Sequence, residues 1–153
     1  MTVQAFNVGD ELERLIAQGR ISENALTTIT GISSDTLASF FAASHSTRPG
    51  LSASAAALSE DEVARLSALT VQLTEGAAID DDERLGAIIE TLTAQFNLSH
   101  ENIALLTRTD LDDVETFLSD PKAAPCEKKF ELAVRSYYLF HAVLNAASDP
   151  SRS

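Results

Sequence analysis

Apolar residues recur along the chain at intervals of three and four, the spacing that places them on one face of an α-helix. Behind Ser59, for example, Val63, Leu66 and Leu73 fall on one stripe, and Glu62 completes a capping box with Ser59. The alternation of apolar and polar positions that is typical of strands is scarce, and no Asn-Gly or Asp-Gly hairpin turn occurs. The pattern predicts an all-α protein of about eight helices.

The longest predicted helix runs from about Cys126 to Ala147, after a turn bracketed by Pro121 and Pro125. Its apolar residues extend around most of its circumference, which is typical of a helix that is covered on several sides. We expect a second subunit to provide part of that cover, so the sequence predicts a homodimer. The candidate interface residues, on this helix and on the one at about 59–75, are Leu66, Leu73, Phe130, Tyr137, Phe140 and Leu144.

Part of the pattern occurs twice. Residues 12–41 align with residues 89–118 without a gap, at an offset of 77. The two segments share eight identities, where random pairs of ordinary composition would give roughly two. Six more positions exchange one apolar residue for another. We interpret the similarity as an internal duplication; the alternative is that two short amphipathic stretches look alike by chance.

The duplication suggests a division of the chain into domains. Residues 1–43 form a first helix-turn-helix-like unit, and residues 59–148 form a helical body that contains the second. Residues 44–58 are rich in alanine and serine and include Pro49 and Gly50, so they are expected to be a linker or a mobile loop. Because a unit of about 43 residues is marginal on its own, we expect it to pack on the body or on a partner chain.

Each copy has the order helix, short break, short helix, tight turn, short helix. In the first copy Ser22 caps a helix whose Ile29 is expected to face the core, Gly31 can take the positive φ that ends this helix, and Ile32 fills the core. At these residues the segment resembles the helix-turn-helix motif of the lambda-repressor-like DNA-binding domains. The resemblance implies that the second helix of the pair lies in the major groove of DNA.

The two copies keep different parts of this family pattern. The family commonly has alanine where the two helices approach closely; the second copy has Ala104 there and the first has Thr27. The first copy has the turn glycine, whereas the second has Arg108 in its place and Thr109 in place of the apolar residue that follows. Each copy therefore meets half of the pattern.

Charge distinguishes the copies further. The whole chain has a net charge of −12, which opposes binding to phosphates. The first 50 residues hold three basic residues against five acidic ones, so they carry only −2 of that charge and the remaining 103 carry −10. If the first copy docks as the resemblance implies, its DNA-binding candidates are Arg20, Asn24, Ser33, Ser34, Ser39 and Arg48.

The corresponding helix of the second copy, residues 110–120, has five acidic residues and no basic one. We expect it not to touch DNA, and a basic protein partner suits it better. Two functional hypotheses follow: a helix-turn-helix DNA-binding protein such as a transcription regulator, which uses the first copy on double-stranded DNA, or a non-catalytic protein-interaction module that kept the fold without DNA binding.

Other chemistry finds little support in the sequence. The three histidines His45, His100 and His141 are far apart, and no cysteine–histidine spacing suits zinc. The chain has neither a glycine-rich phosphate loop nor a nucleophile elbow, so we expect no enzyme activity, no metal and no cofactor.

No apolar run approaches the roughly 18 residues of a membrane span, and the start does not read as a signal peptide. We expect a cytoplasmic location, which the single cysteine, Cys126, also suits.

Overall fold

A computed structural model describes residues 7–45 and 58–148 of the protein. These residues form eight α-helices and one 3₁₀ turn, with no strand among them, so the all-α prediction is confirmed. None of the described helices is long and apolar enough to cross a membrane. The helices are α1 (Val8–Ala17), α2 (Glu23–Thr30), α3 (Ser34–Ser44), α4 (Glu60–Leu73), α5 (Asp81–Ala94), α6 (His100–Thr107), α7 (Leu111–Ser119) and α8 (Cys126–Ala147), and the 3₁₀ turn is Gly76–Ala78. Residues 46–57 of the predicted linker lie outside the described part.

The chain divides into two compact units, an N-terminal unit of residues 1–78 and a C-terminal unit of residues 79–153. The core of the N-terminal unit comes from α1, α2, α3 and α4 together. Leu58 and Leu66 are buried in it, and α4 packs on α1 and α2. The division predicted from the sequence put the α4 segment with the later helices. In the structure α4 belongs to the N-terminal unit, because three short helices alone bury little apolar surface. Leu66 of α4, which is 1% exposed, adds to the apolar core that these helices form.

The C-terminal unit has the same order, three shorter helices followed by one long one. Helix α8 packs on α5, α6 and α7. The buried core of the unit consists of Leu85, Ile89, Leu92, Ile103, Ala104, Val114, Phe117, Ala124 and Leu132.

The tight turn between α2 and α3 forms as expected at two of its residues. Gly31 has φ 72°, in the left-handed region, and Ile32 is buried in the core. The expectation for Ile29 is wrong: its side chain is 61% exposed. Thr30 takes the inward position instead, because its Oγ1 donates to the Leu26 carbonyl at 2.6 Å and so enters the core with its hydrogen bond satisfied. Ile29 is rotated by about 100° from Thr30 around the helix and points to solvent.

In both units an arginine from the last long helix caps the second helix. Arg65 Nη1 of α4 donates to the Thr30 carbonyl at 2.6 Å, at the end of α2. Arg135 Nη1 of α8 donates to the Arg108 carbonyl at 2.8 Å, at the end of α6. The last carbonyls of a helix have no donor within the helix and carry its negative dipole end. The guanidinium supplies a donor to these carbonyls and a positive charge at the negative end of the helix dipole. It also links each helix pair to the long helix that packs on it.

Candidate nucleic-acid interface

Helix α3 presents a polar face to solvent. Its N-cap, Ser33, accepts a hydrogen bond from the Thr36 backbone N–H at 3.2 Å, which starts the helix. Leu37 and Phe41 point into the core, so the opposite side of the helix is outward. The exposed side chains there include Ser34 and Ser39, as predicted for DNA contact, together with Asp35, Ala38 and Ala42.

Two further candidates lie at the start of the helix pair. Arg20 is exposed in the turn after Gly19, whose φ is 70°, and Asn24 is exposed in the first turn of α2. Among the described cations of the N-terminal unit, Arg14 is paired with Glu11 and Arg65 caps α2. Arg20 makes no ion pair within the described residues, which leaves it available to a phosphate. The remaining candidate, Arg48, lies outside the described residues.

The end of α3 is held against α1 by a contact that the sequence did not reveal. His45 Nε2 lies 2.7 Å from Glu13 Oε2. The end of α3 also comes close to α1 at Gly9, where a Cβ would lie only 2.6 Å from Ser44 Oγ. Asp10 completes a group of three potential metal ligands whose ligating atoms lie within 4.8 Å of one another. One imidazole and two carboxylates are ligands that a divalent transition metal accepts. Asp10 and Glu13 are one turn apart on α1, but His45 lies more than 30 residues later in the chain, so no sequence spacing indicates the cluster.

The outward surface of α7 is acidic. Asp112 and Glu115 are exposed, and Asp110 occupies the N-cap without a side-chain capping bond. Asp113 lies 3.3 Å from Lys128 Nζ, and this carboxylate raises the pKa of Lys128 above its ordinary value by accepting its hydrogen bond and by charge attraction. One of the acidic groups is thus balanced by α8, and the surface still repels phosphates.

The residues predicted to form a dimer interface separate into two groups. Leu66 belongs to the core of the N-terminal unit and Leu73 packs against that core, so neither is on an open surface. Phe130 and Tyr137 are exposed on α8 and line a groove between α5 and α8 with a volume of about 530 Å³. Phe140 and Leu144 follow on α8 and are half-buried, Phe140 against the core of the C-terminal unit.

Comparison with known protein families decides the class of this chain. The sequence model described as a helix-turn-helix domain matches residues 3–149. The chain belongs to this helix-turn-helix domain family. Membership indicates a DNA-binding protein and points to a non-enzymatic role. The match runs through both units and includes α4 and α8 as well as the two helix pairs. Searches of curated proteins and of solved structures returned no match.

As a helix-turn-helix protein the chain has two candidate helix pairs, α2–α3 and α6–α7. Both pairs turn through a residue with left-handed backbone, Gly31 in the first and Arg108 in the second, where φ is 55°. Both turns are followed by a helix with a buried apolar side and an exposed side. The chemistry of that exposed side is what differs between them.

Proposed function

We propose that the protein is a transcription regulator that contacts double-stranded DNA through its N-terminal unit, with α3 in the major groove. Family membership supplies the class. The assignment to one helix pair depends on charge: the exposed side of α3 carries one acidic residue, Asp35, whereas α7 exposes Asp112 and Glu115 beside Asp110. Phosphates repel the second arrangement much more strongly than the first.

The polar groups of the N-terminal unit suit the two kinds of DNA contact differently. We propose that the phosphate backbone is contacted by Arg20, Asn24, the N-cap Ser33 and Arg48. Ser34 and Ser39 project from α3, where base edges are read. Because serine hydroxyls donate or accept with any base, they discriminate weakly. We therefore expect moderate affinity, a steep salt dependence and limited sequence preference.

A salt titration of binding to a labelled random duplex tests this proposal. We expect weak binding at low salt that falls with rising salt, with a log–log slope of about −0.9 for each phosphate contact. Arg20→Ala and Arg48→Ala should each make the slope shallower by about one contact. Lys122→Ala, which removes an exposed cation from the C-terminal unit, is the control and should leave the slope unchanged. No binding by the unsubstituted protein even at low salt would contradict the proposal.

A second candidate function is suggested by an apolar feature of the C-terminal unit. Leu105 is 77% exposed and Leu106 58% exposed on α6, next in the chain to the acidic α7. Exposed aliphatic residues together with acidic ones favour a basic, amphipathic protein segment as partner. This protein-interaction role would replace DNA binding if the salt titration shows none, and it would then be tested with Leu105→Lys, which should weaken binding of such a segment.

We also infer that the two units arose by duplication of a four-helix unit. The bounds of α2 and α6 differ by 77 at both ends, the same offset that aligns the sequences. Thr30 and Thr107 are both buried, and each donates from Oγ1 to the carbonyl four residues earlier at 2.6 Å. The arginine caps from α4 and α8 extend the correspondence to the fourth helix, which the sequence alignment did not include.

A further inference from the structure

We propose that a second copy of this chain docks on α8, so that the protein is a homodimer through its C-terminal unit. The proposal makes no use of DNA binding, and its tests are carried out without DNA. It concerns the face of α8 that the unit's own core leaves open.

That face carries several large apolar side chains that are exposed to solvent. Four large apolar side chains are exposed along three turns of the helix: Phe130 by 72%, Val134 and Tyr137 by 54% each, and Tyr138 by 76%. With about 200 Å² for each aromatic side chain, the three rings alone leave roughly 400 Å² open to solvent. The largest apolar patch on a typical monomer is about 300–600 Å² and often serves binding, so this face has the size of a binding surface.

The shape of the face fits a second α8. The groove between α5 and α8 follows the N-terminal half of α8, and Leu85, Ile88 and Ala133 contribute to its apolar walls. Tyr138 and His141 are exposed on the C-terminal half. When two α8 helices lie antiparallel, the ridge on the C-terminal half of each enters the groove beside the N-terminal half of the other. Such a contact is the same on both copies, which is the condition for a closed two-fold dimer.

The charges around the groove favour a copy of this chain over a basic partner. Two acidic and two basic residues line it, and Lys129 Nζ is bound to Asp82 at 3.1 Å. Elsewhere on the helix Glu131 and Arg135 form a pair at 3.9 Å. Because these charges balance locally, two chains that each carry −12 can approach here without strong repulsion. A basic segment would find no excess of acidic groups to bind.

The charges of α8 also favour an antiparallel over a parallel arrangement of the two helices. All charged side chains of α8 lie in its N-terminal half, up to Arg135, and the rest of the helix has no Asp, Glu, Lys or Arg. Parallel helices would place like charges next to each other. Antiparallel helices place each charged half against the uncharged half of the other copy.

The length of α8 is sufficient for a stable interface. Its 22 residues span about 33 Å, and a stable interface buries about 800 Å² on each partner. The exposed rings provide roughly half of that area, and we assign the rest to Val134, the remaining groove walls and the exposed C-terminal turns of α8.

The oligomeric state of the full chain tests the proposal directly. Sedimentation equilibrium or size-exclusion chromatography with light scattering should give a dimer at micromolar concentration. Phe130→Glu and Tyr137→Glu should each weaken the dimer by roughly a hundredfold, because aromatic anchors dominate such interfaces. Leu105→Glu is the matched control: it changes an equally exposed apolar residue of the same unit outside this face, and it should leave the dimer intact. Circular dichroism establishes that all variants are folded.

Several results would overturn the proposal. An unsubstituted chain that is monomeric at these concentrations would do so. The same conclusion would follow if the Phe130 and Tyr137 variants dimerise like the unsubstituted chain, or if Leu105→Glu alone abolishes the dimer.

A distance measurement tests the arrangement of the two copies. The chain has one cysteine, so Cys126→Ser combined with Ala146→Cys gives a single spin-label position at the exposed end of α8. If the two-fold axis passes between Arg135 and Ser136, antiparallel helices place the two labels about 30 Å apart along the helix axis. Parallel helices place them within about 15 Å of each other. A distance near 30 Å is expected. A short distance, or the absence of any dipolar interaction, would overturn the antiparallel dimer.

Discussion

Gly31 and Arg108 occupy corresponding places after Thr30 and Thr107, and both have left-handed backbone, with φ of 72° and 55°. Glycine adopts this conformation without strain, whereas a residue with a Cβ pays roughly 1 kcal/mol. The sequence identifies Gly31 as a turn residue because glycine is expected there. The structure shows that Arg108 makes the same turn, so the C-terminal unit carries strain that the N-terminal unit avoids.

We predict opposite effects of substitution at these two sites. Arg108→Gly should raise the free energy of unfolding by about 1 kcal/mol, since it removes the strain and leaves the backbone carbonyl that Arg135 binds. Gly31→Ala should lower that free energy by about 1 kcal/mol. Urea denaturation followed by circular dichroism measures both. If Arg108→Gly is destabilising, the arginine side chain has a structural role that outweighs the relief of strain.

Ser136 is the second residue with a testable energetic consequence. Its side chain is fully buried on α8, and its Oγ has no hydrogen-bond partner among the described residues. A buried polar group without a partner costs free energy. We predict that Ser136→Ala leaves stability unchanged or raises it by up to about 1 kcal/mol.

Thr107→Val is the matched comparison for Ser136→Ala. It removes a buried hydroxyl that is satisfied, at 2.6 Å from the Ile103 carbonyl, and should cost about 1 kcal/mol. Thermal unfolding of the two variants compares them. A larger loss for Ser136→Ala than for Thr107→Val would show that Ser136 has a partner after all.

At the scale of the helix, the sequence pattern predicts where helices begin and end better than what covers them. The caps predicted at Ser22 and Ser59 mark the starts of α2 and α4. The same pattern does not tell which neighbour takes the apolar side of α4, because periodicity describes one helix at a time. Leu66 therefore looked like an interface residue in the sequence and is a core residue in the structure.

The arginine caps of α2 and α6 are expected to stabilise the two units measurably. Arg135→Ala should lower the free energy of unfolding by about 1 to 2 kcal/mol, because it leaves the last carbonyls of α6 without a donor and removes a cation from the helix dipole. Arg65→Ala should have a similar effect through α2. Urea denaturation checks both, and Arg14→Ala serves as control because its exposed pair with Glu11 is worth less than about 1 kcal/mol. Equal losses for all three variants would mean that the caps contribute no more than an ordinary surface pair.

For the whole molecule, composition alone is misleading about function. A net charge of −12 argues against DNA binding until the charge is assigned to positions. The sequence shows that the less acidic third of the chain contains the first helix pair. The structure adds that Ser34 and Ser39 point outward and that Arg20 makes no ion pair within the described residues. The contact of His45 with Glu13 and the groove beside α8 could not be foreseen, because both depend on residues that meet only after folding.

The central claim is that the N-terminal unit, and not the C-terminal unit, faces DNA. Adding one positive charge at corresponding positions of α3 and α7 tests it most directly. Ser39 is exposed on α3, and Thr116 stands 77 residues later on α7. We predict that Ser39→Arg raises affinity for a random duplex about tenfold at low salt and steepens the log–log salt slope by about 0.9, while Thr116→Arg changes neither. An equal gain from Thr116→Arg, or no gain from Ser39→Arg, would contradict the account.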